Sequence, residues 1–249
     1  MSTGILITAR LKSQRLPEKV MLPIQDRPMI CHLIDRLKLT QSVDKIVLCT
    51  SPLKQDDRLV DIAQQERIDY FRGDPDDVLL RLTDAAGEHN LGTVLNCTAD
   101  NPFVDPIYLQ RLAEFLHENG YDYACTQGLP IGMYGWAITF PAMEEACKIK
   151  DEVDTEVWGG YFTDTGFFQW GSLLADPDDF WPDLRLTVDT PEDFELITRI
   201  FDELYTPGKV FSMTQILDLC HKHPELAAIN AAIQQKKPIP IKLKPKQTN

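Results

Sequence analysis

Short apolar runs alternate with amphipathic stretches over the first half of this chain. Residues 3–8 (TGILIT) form an apolar run too short for a helix, which reads as a buried strand. Pro28 to Leu39 carries apolar residues at helical spacing, 44–50 (DKIVLCT) reads as the next strand, and 54–66 as a helix. A short strand over 68–71, a helix over 76–89 and a buried strand over 93–97 (TVLNC) continue the pattern. Alternation of this kind predicts an α/β fold, a parallel sheet covered by helices.

The second half is less even. Asp105-Pro106 opens a helix through about Glu118, and 121–125 (YDYAC) reads as a strand. From Gln127 to Trp170 the pattern is irregular and aromatic, with Tyr134, Trp136, Trp158, Tyr161, Phe162, Phe167, Phe168 and Trp170. These rings read either as a satellite core beneath a long excursion or as a lid over a substrate. Leu184 to Val188 is strand-like. The helix 190–205 has Thr190 as N-cap, Pro191 at its first position, and Glu192 and Asp193 where the helix dipole favours anions. Helical segments over 213–223 and 225–235 precede a basic, Pro-rich tail that reads as extended, because Pro removes donors and like charges repel. The expected division is a main domain over 1–205, with its excursion at about 127–172, a helical extension over 206–235 and the tail over 236–249.

At 249 residues and 43% hydrophobic content the chain can bury a substantial core. No stretch resembles a membrane span, and the start lacks the basic and apolar regions of a signal peptide, so the expectation is a cytoplasmic protein. Six Cys lie far apart with no C-x-x-C pair, which favours reduced, buried thiols over disulfides or zinc. A net charge of −13 argues against nucleic-acid binding, which rests on Lys and Arg at phosphates.

Against that acidic background, the loop after the first strand reverses sign. Arg10, Lys12, Arg15 and Lys19 bring four cations against the single carboxylate of Glu18. Open α/β sheets place ligands beyond the carboxyl ends of their strands, so this loop is a candidate polyanion site. Containing no Gly, it would grip phosphate with side chains by charge-assisted hydrogen bonds, unlike phosphate loops that work through backbone N–H groups. Two carboxylates follow strand-like runs: Asp100 after 93–97, and Asp189 after 184–188. Each could be a turn former or cap, but Thr190 already fills the capping role beside Asp189. Two carboxylates at strand ends also suit Mg²⁺, which takes few protein ligands and completes its shell with phosphate oxygens and water.

The run Ala9-Arg10-x-x-Ser13-x-Arg15-Leu16-Pro17-x-Lys19 resembles the signature of the cytidylyltransferases that make CMP-activated sugars. These include the CMP-Kdo and CMP-sialic acid synthetases and, closest in pattern, the spore coat polysaccharide biosynthesis protein F group. The likeness continues through 71–81 (FRGDPDDVLLR), 98–102 (TADNP) and 186–194 (LTVDTPEDF), so it spans nearly the whole chain in order. The resemblance implies a nucleotide-diphospho-sugar-transferase (GT-A-like) fold with a mixed, mainly parallel sheet. It also implies transfer of CMP from CTP to a sugar or sugar acid, for surface glycan synthesis, by a homodimer using Mg²⁺. Arg10, Arg15 and Lys19 would hold the triphosphate, with Ala9 and Ser13 beside them, and Asp100 and Asp189 would ligate the metal. Gly73, Asp77 and Arg81 would lie near the base and sugar.

The acceptor half departs from the family pattern. Where relatives carry Gly-x-x-x-Glu-Val, this chain has 132–138 as GMYGWAI, and a familiar Glu-His pair is here Glu156-Val157. Two alternatives stay open: a glycosyltransferase of the same fold, which would show Asp-x-Asp where this chain has Asp100-Asn101-Pro102, and a non-catalytic nucleotide-binding subunit.

Overall fold

The computed structural model describes residues 2–235 and 240–245. The elements run β1 (Thr3–Thr8), β2 (Pro23–Ile24), β3 (Arg27–Pro28), α1 (Met29–Leu37), β4 (Lys45–Thr50), α2 (Asp57–Glu66), β5 (Asp69–Arg72), α3 (Val78–Glu88) and β6 (Thr93–Thr98). Then come α4 (Pro106–Asn119), β7 (Tyr123–Gln127), β8 (Trp136–Thr139), α5 (Phe140–Ile149), α6 (Gly160–Thr163), β9 (Trp170–Leu174), α7 (Pro191–Leu204), α8 (Met213–Lys222) and α9 (Pro224–Ala228).

Seven strands make one sheet in the order β5-β4-β1-β6-β8-β7-β9, while β2 and β3 form a small hairpin. Strands β5, β4, β1 and β6 are parallel; β8 runs antiparallel between β6 and β7, and β9 pairs parallel to β7. The expected mixed, mainly parallel sheet is what the chain forms. Because side chains alternate across a strand, Ile5 and Ile7 of β1 enter the core beneath α1, α4 and α7, while Leu6 enters the core beneath α3 and α5. Burial on both faces explains why β1 reads as a continuous apolar run.

The structure departs from the sequence reading in four places. The stretch after Gln127 contains β8 and α5. Leu184 to Val188 is not a strand of the sheet: it makes one isolated bridge, Ile131 to Arg185, while the Leu184 amide donates to the Trp181 carbonyl and the Val188 amide to that of Asp100. The last helix is α9 alone, shorter than expected. Finally, residues 240–245 are not free: the Lys244 amide donates to the Ile149 carbonyl at 2.9 Å and the Asp151 amide to that of Lys242 at 2.8 Å. The rest of the expected tail, 236–239 and 246–249, lies outside the described residues.

The aromatic excursion largely joins the second core. Trp158, Tyr161, Phe162 and Phe168 are buried, and the Phe162 ring lies 5.1 Å from those of Tyr123 and Phe168. Phe167 and Trp170 stay exposed. Among the described residues no helix is long and apolar enough to cross a membrane. All six thiols are free, and burial pushes Cys31 and Cys49 up to about 12.

Candidate active site

The loops that leave β1 and β6 start side by side at the carboxyl edge of the sheet, since Thr8 pairs with Thr98 and the Ala99 amide donates to the Thr8 carbonyl at 2.9 Å. Ala9, buried, is tied to β4 through the Cys49 carbonyl at 3.1 Å. The basic loop is then anchored by a residue that no motif marked. Asp56 is fully buried; its Oδ1 accepts from the Leu11 amide at 2.8 Å and its Oδ2 from the Ser51 hydroxyl. Two neutral donors aimed at one buried carboxylate fix where the loop departs. Ser13 acts locally, its hydroxyl accepting from the Leu16 amide at 3.4 Å.

The loop ends at Lys19, which opens a single 3-10 turn and aims its ammonium between the two acidic residues. Lys19 Nζ lies 2.6 Å from Asp100 Oδ2 and 2.9 Å from Asp189 Oδ1, and Arg15 Nη2 lies 2.8 Å from Asp189 Oδ1. Carboxylates 81 and 170 positions beyond Lys19 in sequence thus meet on its one nitrogen. Burial alone would lower the Lys19 pKa, but the two carboxylates outweigh it and raise it. Burial likewise opposes ionisation of Asp189, yet Lys19, Arg15 and Arg185 hold its carboxyl below the ordinary range.

Both carboxylates are held from behind. The Thr98 hydroxyl donates to Asp100 Oδ1 at 2.5 Å. Arg185 Nη2 donates to Asp189 Oδ2 at 2.8 Å, while its Nε and Nη2 grip Asp193 at 2.8 and 3.0 Å. Asp193 also accepts from the amides of Asp189 and Thr190, completing a capping box with Thr190. Asn230 bonds Asp193 and the Arg185 carbonyl, and Gln235 takes the remaining arm of Arg185. Arg185 sits inside a run that reads as apolar strand, so its role as the support of Asp189 was not legible there. Its cue was a cation within such a run, four residues before an acid.

The other cations form a second group. Arg10 Nη1 reaches the Pro75 carbonyl and lies 3.4 Å from Asp76, its Nη2 lies 3.7 Å from Glu156, and Lys12 Nζ lies 2.8 Å from Asp76. Arg10 therefore faces the 73–77 turn and not the acidic pair. Arg81, fully buried, donates to the Asp74 carbonyl, but its Nε and Nη2 have no hydrogen-bond partner among the described residues. Burial, with Arg10 nearby, pulls its pKa below the usual arginine range. Gly73 lets Arg81 take this position: a Cβ there would stand 2.6 Å from the Phe71 ring and 2.9 Å from Arg81 Cγ.

Asp77, expected near the base and sugar, is bonded to other parts of the protein. Its Oδ1 caps α3 through the Leu80 amide at 3.0 Å and accepts from the Thr155 hydroxyl at 2.8 Å, and its Oδ2 pairs with Lys150. Both oxygens are committed to protein donors, and the side chain is buried. Asp77, Thr155 and Lys150 lock the 150–156 segment onto α3.

Two hard carboxylate oxygens converging on one cationic atom form a donor set that fits a small divalent cation, with the remaining ligands left to phosphate and water. Among the described residues no three of His, Cys, Asp and Glu gather into a metal-holding group, so any metal here rests on that pair.

Residues 4–156 match the family model described as cytidylyltransferase. An uncharacterised protein of Methanocaldococcus jannaschii is 30% identical over 93% of this chain and 95% of its own length. The spore coat polysaccharide biosynthesis protein SpsF of Bacillus subtilis is 27% identical over 89% of this chain and 95% of its own. Among solved structures, a cytidylyltransferase from Leptospira borgpetersenii is similar with a TM-score of 0.84 at 26% identity, covering 91% of this chain and 97% of that one. A CMP:2-keto-3-deoxy-manno-octonic acid synthetase solved with CTP shares the fold alone, with a TM-score of 0.65 at 16% identity over 82% of this chain and 99% of that one. A family model matched over residues 4–156, more than half of the chain, places this protein among the cytidylyltransferases.

Proposed function

We propose that this cytidylyltransferase uses CTP and transfers CMP to a hydroxyl of a sugar or sugar acid, releasing pyrophosphate. The observation that supports this most directly is the convergence of Lys19 on Asp100 and Asp189 with Arg15 alongside. In the free protein the two cations and two anions neutralise one another. A triphosphate entering the cleft offers Arg15 and Lys19 a better partner, because an ammonium or guanidinium gains more from a multiply charged phosphate chain than from one carboxylate. Lys19 would then leave the acidic pair for the β- and γ-phosphates and stabilise charge on the departing pyrophosphate.

Asp100 and Asp189 would hold Mg²⁺ at that point, and the metal would supply charge neutralisation at the α-phosphate. The protein's own part is positional. Thr98 and Arg185 keep the carboxylates fixed, Asp56 keeps the loop in place, and the cations orient the triphosphate so that the acceptor hydroxyl can attack in line. The unpaired donors of Arg81, beside Gly73 and the 74–76 turn that Arg10 contacts, are suited to the carbonyl and ring nitrogen of a cytosine.

Pyrophosphate release from each of CTP, UTP, ATP and GTP, with Mg²⁺ and a panel of sugar acids and neutral sugars, tests the reading. Release from CTP alone, dependent on an acceptor, is the expected result. Equal release from all four nucleotides removes the cytidine assignment, and release without an acceptor removes the transfer.

A further inference from the structure

On the other side of the Asp100 loop lies a cavity of about 270 Å³, between α1, the carboxyl end of α7 and residues 208–211. It shares no lining residue with the cleft. Phe201, Tyr205 and Phe211 supply its apolar walls, and Arg27, Arg36 and Lys209 its positive charge. Arg27 is neutralised by Asp35 and Glu66 at 2.6 and 2.8 Å. His32 is kept neutral, since burial lowers its pKa, and its Nε2 donates to the Ile24 carbonyl at 2.8 Å.

Arg36 is the unusual member. It is only 3% exposed, with Nε donating to the Val104 carbonyl at 3.2 Å and Nη1 to that of Phe211 at 2.6 Å. Its guanidinium carbon stands 5.9 Å from the Phe103 ring centroid and 5.6 Å from that of Phe211. Two carbonyls and two rings fix the guanidinium, yet Nη2 bonds no described residue and no described carboxylate lies within ion-pair distance. Asp105 acts on it only from further away, its own carboxylate being engaged by the amides of Ile107 and Tyr108. Burial draws the Arg36 pKa down to about 10, so it stays charged at neutral pH. Lys209, exposed at the mouth, has no carboxylate partner among the described residues either. A buried cation without a counter-ion is unfavourable, and an arriving anion relieves it.

The geometry points to a second ligand site for a small organic oxyanion. Its charged group sits on Arg36 Nη2 and Lys209, and its flat or apolar body lies against Phe201, Tyr205 and Phe211. The volume is near the lower end for small-molecule sites, which selects a ligand of about the size of a sugar phosphate or an aromatic acid and excludes a nucleoside triphosphate. Phosphomonoester and carboxylate share the required chemistry. Because Arg36 holds Val104, whose amide in turn bonds the Asn101 carbonyl at 3.3 Å, an occupant bears on the loop that carries Asp100.

Calorimetric titration of the full chain with phenyl phosphate and with benzoate tests it. At least one probe is expected to bind saturably. Lys209→Glu, an exposed change, and Arg36→Lys, which keeps the charge but loses the fork, each weaken that probe about tenfold, whereas Lys19→Ala leaves it unaltered. Phenyl phosphate alone binding identifies a phosphate ligand, and benzoate alone a carboxylate. Should neither probe saturate, or should Lys19→Ala abolish binding while Lys209→Glu leaves it intact, the site does not exist.

Discussion

The Val188 amide donates to the carbonyl oxygen of Asp100 at 2.8 Å, so the two segments that carry the acidic pair move as one. Gly132 packs against the same unit: its φ is +98°, and a Cβ there would stand 2.6 Å from the Thr187 nitrogen and 2.7 Å from the Leu186 carbonyl carbon. Neither backbone atom can yield without displacing Asp189. Gly132→Ala is therefore expected to destabilise the fold by about 1–3 kcal/mol in urea unfolding and to depress turnover at saturating substrate. Wild-type turnover in this variant would mean that the acidic pair tolerates displacement.

Asp189→Asn separates two roles of one side chain. Asn keeps the shape, but without the charge Arg15, Arg185 and Lys19 all lose their shared partner. Pyrophosphate release is expected to fall to background, with a stability loss of about 1–3 kcal/mol at neutral pH. The pH dependence has a defined sign. The folded pKa of Asp189 is depressed, so its stabilisation is complete above the ordinary carboxylate range and disappears as pH falls through the lowered value. Unfolding measured across the acid range should thus show a shallower loss of stability in Asp189→Asn than in wild type.

Arg81→Met removes a buried guanidinium with two nitrogens unsatisfied among the described residues. Replacing such a charge by an apolar chain of similar length is often neutral or stabilising, so the melting temperature of the free protein should hold or rise. Affinity for CTP, measured by calorimetry, should nevertheless fall at least about tenfold, equivalent to about 1.4 kcal/mol. A drop in stability with unchanged affinity would make Arg81 a core residue.

Lys150→Met leaves Asp77 buried beside Thr155 without its cation. Removing one member of a buried pair is expected to destabilise the fold by about 3–5 kcal/mol. If Asp77 supports α3 and does not touch the nucleotide, CTP affinity measured below the unfolding transition stays within about twofold of wild type.

The strands β1, β4 and β6 were legible because burial on both faces writes an unbroken apolar run. That Asp100 would lie beside the basic loop was legible because motif and position agreed, whereas the turning of Arg10 and Lys12 towards Asp76 was not. By contrast, β8 is only four residues long and leads straight into Phe140-Pro141, so its signal merged with an aromatic stretch. Leu184 to Val188 has the alternation of a strand, but its partners, Ile131 and Asp100, are loops that only the tertiary fold brings there. Asp56 and Arg185 escaped for a related reason: a side chain that supports another has no spacing of its own. Asp77 lies in the same short motif as Gly73, yet its partners Thr155 and Lys150 come from a segment more than 70 positions away, which no local spacing reveals.

Asn230 and Gln235 clamp Arg185, which in turn braces Asp189. During vectorial synthesis the basic loop and Asp100 emerge long before this clamp, and Asp189 itself precedes it by about forty residues. A nascent chain ending before residue 230 carries Lys19, Arg15, Arg185 and Asp193 around Asp189 but lacks the outer clamp that Asn230 and Gln235 place on Arg185 and Asp193. The support behind Asp189 is therefore completed last, by residues that follow α9 in the chain. Loss of the helical extension would remove this clamp together with Met213, Ile216, Leu217, Cys220 and Leu226 from the core beneath α1 and α7.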